Sequence, residues 1–379
     1  MSYLERNAQT APTGLRKILY LNWPLLLLIS AAASVGFLML YSVSGGDMSR
    51  WMEPQFKRFL IGLGVMLVVA MIPIWFWRNV SALAYLAAFG LLIAVELFGT
   101  VGKGAQRWID LGFMQLQPSE LMKVTLVMLL AAYYDWLPKS KTSRPLWVIL
   151  PVLIIVAPTL LVLNQPDLGT SILLLAAGGL VMFLAGVHWG YFAFVIASVA
   201  GLVGAVFESR GTSWQLIKDY QFRRIDTFID PSQDTLGTGY HITQSKIALG
   251  SGGWNGRGFM QGTQSRLSFL PEKHTDFIFT SLAEEFGFIG GITLLCLYLL
   301  ILLFCVVTAL ATKDRFASLV TLGIAVNFFL FFAVNMSMVM GMAPVVGVPL
   351  PLVSYGGSAM LVLMAAFGVV QSANVHRPR

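Results

Sequence analysis

Apolar residues run along this chain in long unbroken stretches, not in the two- or 3.6-residue alternation of an element with one wet face. The stretches lie near 18–42, 59–76, 79–98, 118–136, 146–163, 168–187, 189–207, 284–311, 316–338 and 357–374. Each approaches the about 20 residues that a helix needs to cross a bilayer. They predict an all-α polytopic membrane protein with about ten transmembrane helices. The breaks between stretches divide the chain into a tail (1–17), spans 1–7 (18–207), a large loop (208–275), spans 8–10 (276–374) and a short tail (375–379). Residues 1–15 are polar and the first apolar run exceeds a signal h-region, so that run reads as a retained span.

Composition hardens this picture. The 379 residues are 57% hydrophobic and 11% charged, and mean hydropathy is +0.75. A soluble domain carries about 25% charged residues, so a water-facing surface is excluded. The net charge of +7 does not imply nucleic acid, because the basic residues stand singly between apolar runs. Their distribution is a topology signal instead. With the N-terminus inside, eleven Lys and Arg fall in cytoplasmic tails and short loops, against five (Arg50, Lys57, Arg58, Lys103, Arg107) in short outside loops. Both termini are then cytoplasmic, and segment 208–275 is extracytoplasmic. Loops that long escape the charge rule, and this one is rich enough in aromatic residues to hug a membrane. Cys296 and Cys305 lie nine residues apart in one apolar run, too far along a helix to pair.

Several polar groups sit where a membrane makes them costly. In Gln117-Pro118-Ser119-Glu120, Pro118 suits the first turn of a helix. Glu120 and Lys123 then share a face at i, i+3, either as a structural ion pair or as the lining of a substrate cavity. Asp167, in Gln165-Pro166-Asp167-Leu168-Gly169-Thr170, reads as an N-cap or a functional acid. Lys103, Arg107 and Trp108 place two cations and an aromatic in an outside loop. Trp108 suits an interfacial anchor and Arg107 a bidentate phosphate grip. The glycine run 250–258 is either a phosphate cradle completed by Arg257 or a turn between two interfacial helices. Segment 342–358 holds three prolines and no charge, which marks an irregular segment lining a cavity. Asp276 stands just before the eighth span. It is placed either to cap the helix begun at Phe277 or to act as a general base, with His274 a second candidate base. Glu284 and Glu285 follow in the same helix without a readable partner.

Six motifs in order carry a resemblance: Gly104-Ala105-Gln106-Arg107-Trp108-Ile109, Gln117 to Glu120, Gln165 to Thr170, Gly239-Tyr240-His241 through Gly253, Leu270 to Asp276, and Pro349 to Gly357. Over about residues 16–375 the chain resembles the SEDS family of peptidoglycan glycosyltransferases. Gly262-Thr263-Gln264-Ser265 followed by Leu270-Pro271-Glu272-Lys273-His274-Thr275-Asp276 is similar to the elongation-type RodA branch rather than to FtsW.

The resemblance implies polymerisation of lipid II for cell elongation and rod shape, in the inner membrane. A lipid-linked glycan is donor, the GlcNAc 4-hydroxyl of another lipid II is acceptor, and undecaprenyl pyrophosphate leaves. It places the essential acid at Asp276, as base on that hydroxyl. It also places an intramembrane pair at Glu120 and Lys123, loop residues at Trp108 and Arg107, and a third acid at Asp167. It implies a divalent cation, Mg or Mn, for which Asp276 is one conceivable ligand, and a class B penicillin-binding protein as the transpeptidase partner. Lys103, Arg107, Arg223, Arg224 and Arg257 are then cations available to the leaving diphosphate. The competing readings are a lipid II flippase and a non-catalytic scaffold for the transpeptidase.

Overall fold

The structure, a computed structural model, describes residues 14–102, 105–110, 112, 115–212, 215–216, 222, 226, 238–266 and 272–377. Each of the ten predicted stretches holds a helix: α1 (Trp23–Val43), α2 (Glu53–Met71), α3 (Ile74–Phe98), α4 (Pro118–Trp136), α5 (Pro145–Asn164), α6 (Leu168–Leu184) and α7 (Trp189–Glu208). After α8 (Thr238–Ser251), which belongs to the large loop, come α9 (Ile278–Ala311), α10 (Arg315–Val339) and α11 (Gly357–Val375). Among the described residues, eight helices are long and apolar enough to cross a membrane. The other two of the ten are α4, which carries Glu120 and Lys123, and α6, which has only 17 residues.

Two boundaries differ from the sequence reading, each for a physical reason. Helix α2 starts at Glu53, not 59, because Pro54 occupies its first turn, where a missing N–H costs nothing. Helix α9 starts at Ile278, six residues before the apolar run at 284. It carries Glu284 and Glu285 as buried acids and bends at Gly287, where φ is 64° and ψ −159°.

The core lies where α1, α4, α9, α10 and α11 meet, around Leu25, Met122, Tyr298, Phe328 and Phe367. Edge-on aromatic pairs Tyr298–Phe328 (5.1 Å) and Phe328–Phe367 (5.6 Å) tie α9, α10 and α11 together. The first and last helices are joined by Gln371, whose Oε1 accepts from Asn22 N and whose Nε2 donates to Asn22 O. Helix α7 has no buried residue and lies at the periphery. Cys296 and Cys305 are both free.

At one end of the bundle the polypeptide leaves helical form. Strands β1 (Thr100–Gly102), β2 (Ala105–Asp110) and β3 (Gln115–Leu116) make a small antiparallel sheet in the order β1-β2-β3. Trp108 pairs with Thr100, and Ile109 with Leu116, which delivers the chain to Pro118 and α4. Segments 252–266, 272–277 and 340–356 cover the same end.

Candidate active site

Asp276 lies at the close of a tight turn in which Thr275 N and Phe277 N both donate to Glu272 O, at 3.2 and 3.3 Å. Phe277 occupies the N-cap of α9, so Asp276 stands one residue outside the capping position. Helix capping therefore does not place it. Its backbone is instead held carbonyl by carbonyl. Tyr355 N donates to His274 O (2.9 Å), Ser354 Oγ to Thr275 O (2.6 Å) and Asn335 Nδ2 to Asp276 O (2.8 Å).

The partner in this clamp is the proline-rich segment between α10 and α11. Asn335 Nδ2 also donates to Val348 O at 2.7 Å. Ser354 Oγ accepts from Leu350 N at 2.8 Å. Gln55 on α2 donates through Nε2 to Ser354 O (3.1 Å) and accepts through Oε1 from Gly356 N (3.2 Å). Asn335, Gln55 and Ser354 are all buried, so irregular backbone within an apolar body finds its hydrogen bonds in protein, as it must. Gly347, at φ 69°, faces the acid: a Cβ there would sit 3.6 Å from Asp276 Oδ2. Sequence reasoning missed Asn335 and Gln55. Asn335 lies within an apolar run and Gln55 among the charged residues before one, and attention to ionisable groups passed over these neutral amides.

A cationic, aromatic rim flanks the acid. Trp51 and His274 stack at 4.5 Å with their planes 5° apart, and the Arg50 guanidinium lies 4.5 Å from the Trp51 ring. On the other side, His274 meets Tyr355 at 6.1 Å, and Arg58 lies 4.9 Å over Tyr355. Arg58 Nη1 is buried and has no hydrogen-bond partner among the described residues. Burial, aided by Arg50, lowers the pKa of the Lys273 ammonium below the ordinary lysine value. Arg50 and Arg58 counted only as topology signals in the sequence; the fold brings them to the acid-bearing turn.

Glu120 and Lys123 come together within the bundle. Glu120 Oε2 and Lys123 Nζ pair at 2.7 Å, both nearly buried, and Lys123 lies 3.6 Å over the Phe331 ring. The pair lines a cavity shared with Asn327, Pro349 and Ser354. The clamp segment thus forms one wall of the cavity while holding Asp276 at its other side.

Two site expectations change. Arg107 is not a waiting phosphate grip: its Nε donates to Gln165 O (3.1 Å), its Nη2 to Pro166 O, and its Nη1 lies 3.8 Å from Asp167 Oδ2. It is a strut that fixes the hairpin to the start of α6. Asp167 caps α6 as read, its Oδ1 accepting from Thr170 N at 3.1 Å. Trp108, on the same strand, is half-buried.

The glycine run is not a phosphate cradle. Gly256, Arg257 and Gly258 donate their N–H groups to Gly252 O, Glu284 O and Glu285 O, and the Arg257 guanidinium reaches Thr263 Oγ1 at 3.0 Å. The glycines are needed for close backbone approach, since a Cβ at Gly252 or Gly256 would collide with Ala283 O or Glu285 O. Glu284 and Glu285 gain their partners here. Glu284 Oε1 accepts from Thr263 N (2.8 Å), Thr263 Oγ1 (3.0 Å) and Gln264 N (3.1 Å), and Glu285 Oε2 from Met260 N (3.1 Å). Lys103, Arg223 and Arg224 lie outside the described residues.

A polytopic helical bundle with a clamped acid and a cationic rim at one end defines a membrane-embedded enzyme. Residues 22–379 match the model of the FtsW, RodA and SpoVE family, described as cell cycle protein. The chain is 42% identical over 360 residues to the peptidoglycan glycosyltransferase MrdB of Escherichia coli K12, covering 94% of each. It is 34% identical to the stage V sporulation protein E of Bacillus subtilis, covering 89% of this chain and 92% of that protein. The subunit of a solved peptidoglycan synthase complex, in which polymerization and crosslinking are coordinated, superposes with a TM-score of 0.81 at 29% identity (93% and 97% covered). The rod shape-determining protein RodA of Thermus thermophilus superposes at 0.71 and 27% identity (95% and 98% covered). The chain belongs to this family, the SEDS peptidoglycan glycosyltransferases, and is a multi-pass protein of the inner membrane.

Proposed function

We propose that the chain polymerises lipid II for cell elongation, with Asp276 as the base on the acceptor. The acceptor's 4-hydroxyl gives its proton to the Asp276 carboxylate while its oxygen bonds to the anomeric carbon of the lipid-linked donor. The bond from that carbon to diphosphate breaks, and undecaprenyl pyrophosphate departs with the electron pair. Arg50, Arg58 and Lys273 lie beside the acid-bearing turn, where fixed cations favour the charge that develops on the leaving group. The observation that carries this reading is the immobilised backbone of 274–276 next to that rim. A fixed base and fixed cations need no reorganisation during reaction.

A divalent cation, Mg or Mn, fits as a companion of the diphosphate. Among the described residues no three His, Cys, Asp or Glu side chains converge, while Mg2+ is commonly held by one or two carboxylates together with substrate phosphates. Asp276 is the residue that would hold the cation, and the cation would supply charge neutralisation on the leaving group. The eleven-to-five distribution of basic residues supports cytoplasmic termini. The likeness to a synthase-complex subunit supports a class B penicillin-binding protein as partner.

Purified protein given lipid II in detergent, where flipping has no meaning, separates enzyme from transporter. Glycan polymer is expected from the native chain and none from Asp276→Ala. Undiminished polymer from that variant refutes Asp276 as base.

A further inference from the structure

We propose that Asn335 is a positioning residue for the glycosyl transfer, acting through Asp276 by clamping the acid-bearing turn to the proline-rich segment. The proposal deepens the reading of Asp276 as base and rests on it.

The geometry is economical. Asn335 is fully buried on α10, and its one Nδ2 group donates to Asp276 O at 2.8 Å and to Val348 O at 2.7 Å. Those two carbonyls belong to different segments, one carrying the acid and the other the proline-rich segment, where Val348 directly follows Gly347, which faces the carboxylate. Both protons of one amide therefore fix the distance between the two walls around Asp276. By contrast, Ser354 holds the neighbouring Thr275 O.

Asn335 also continues a stripe. Asn327, Phe331 and Asn335 are spaced i, i+4, i+8 on one face of α10. Asn327 Nδ2 lies 3.4 Å from Lys123 O and Phe331 lies under Lys123 Nζ. One rigid helix thus touches the intramembrane pair at one end and the acid-bearing turn at the other. The neutral amide suits this task, because it donates twice and places no charge beside the base.

Removing a positioning contact displaces the reacting group without removing substrate contacts. A misplacement near 1 Å costs about 100-fold in rate, and loss confined to the transition state lowers kcat while KM holds. Asn335→Ala should therefore lower kcat for lipid II polymerisation by about 100-fold at unchanged KM. Asn335→Ser, which keeps one small donor, should fall between it and the native chain. Ser354→Ala should lower kcat less, because Thr275 O is one residue further from the acid. Hydrogen exchange in these proteins should rise in 272–277 and 346–356 and stay at the native level in α1 and α11.

Asp276→Ala is assayed alongside. If it stays active, the base reading fails first. If Asp276→Ala is inactive while folded Asn335→Ala and Asn335→Ser keep native kcat, the positioning role is refuted and the base reading stands. Exchange rising throughout the bundle, with kcat and KM both degraded in each Asn335 variant, overturns the proposal in favour of a general structural role. If Asn335→Ala does not accumulate in membranes, Asn335→Ser and Ser354→Ala carry the same comparison.

Discussion

Two irregular segments cover the same end of this bundle, and they are anchored in opposite ways. In the turn 252–264 the backbone presents N–H groups, and the carboxylates of Glu284 and Glu285 collect them. In 272–277 and 347–356 the neutral side chains of Asn335, Ser354 and Gln55 donate to four backbone carbonyls, and Ser354 and Gln55 also accept from Leu350 N and Gly356 N. Acids serve as structure where the chain offers donors. Where an acid is to react, amides and a hydroxyl hold the backbone, and the clamp grips the carbonyl of Asp276 rather than its carboxylate. Burying a carboxylate is costly unless several donors meet it, so Glu284 and Glu285 in this role are bound into the fold.

The sharpest test exchanges each acid for its amide. Asp276→Asn should lower kcat by about 100- to 10,000-fold, the range of a general base, with thermal stability in detergent unchanged because the backbone clamp persists. Glu284→Gln should do the reverse. Its three hydrogen bonds weaken from charged to neutral, costing about 1–3 kcal/mol, while kcat measured below the melting temperature stays near native. If Glu284→Gln abolishes polymer in a folded protein, the division between structural and reactive acids is wrong.

Glu120 is a third acid, and its partner is a lysine. Removing one member of a buried pair strands the other, at about 3–5 kcal/mol, whereas replacing both with apolar groups of similar volume is often neutral. Lys123→Met should therefore unfold at a markedly lower temperature, and Glu120→Leu combined with Lys123→Met should recover most of that loss. Polymer assays on the recovered double variant then decide between ion pair and cavity lining. Activity retained there assigns the pair to structure.

The turn 252–264 can also be detached without touching an acid. Gly256→Ala places a Cβ against Glu285 O at φ 79°. The left-handed backbone costs about 1–2 kcal/mol and the collision about 1–3 kcal/mol, read as a lowered melting temperature. Proteolysis within 252–264 should rise in parallel.

The helices were legible because bilayer-length apolar runs leave few alternatives. Pro118 marked the start of α4, and Asp167 was readable as a cap from its place at the opening of the sixth apolar run. Asp276 was readable as a membrane-edge acid, yet the N-cap position offered for it from sequence is occupied by Phe277, whose side chain makes no cap hydrogen bond. The glycine run misled, because glycines that let two backbones touch look the same in sequence as glycines that bind phosphate. Gln55 and Asn335 were invisible for a different reason. Their partners are backbone groups, 299 and 301 residues away for Gln55 and 13 and 59 away for Asn335, and no side-chain pattern records a backbone partner.

The smallest expected effect separates cap from charge at Asp167. Asparagine caps a helix about as well as aspartate, while alanine loses about 1 kcal/mol. Asp167→Asn removes the 3.8 Å contact with Arg107, a partly exposed pair worth about 0–1 kcal/mol, and puts an amide where Oδ2 accepts from Thr170 Oγ1 at 3.0 Å, a contact the amide can keep by donating to that hydroxyl. Arg107 keeps its hydrogen bonds to Gln165 O and Pro166 O, so the hairpin should stay docked in either variant. Melting in detergent should thus rank native and Asp167→Asn nearly together, with Asp167→Ala lower. If Asp167→Asn falls as far as Asp167→Ala, the charge rather than the cap holds this corner. Asp167 would then join Glu120 as an acid whose task is to meet a cation.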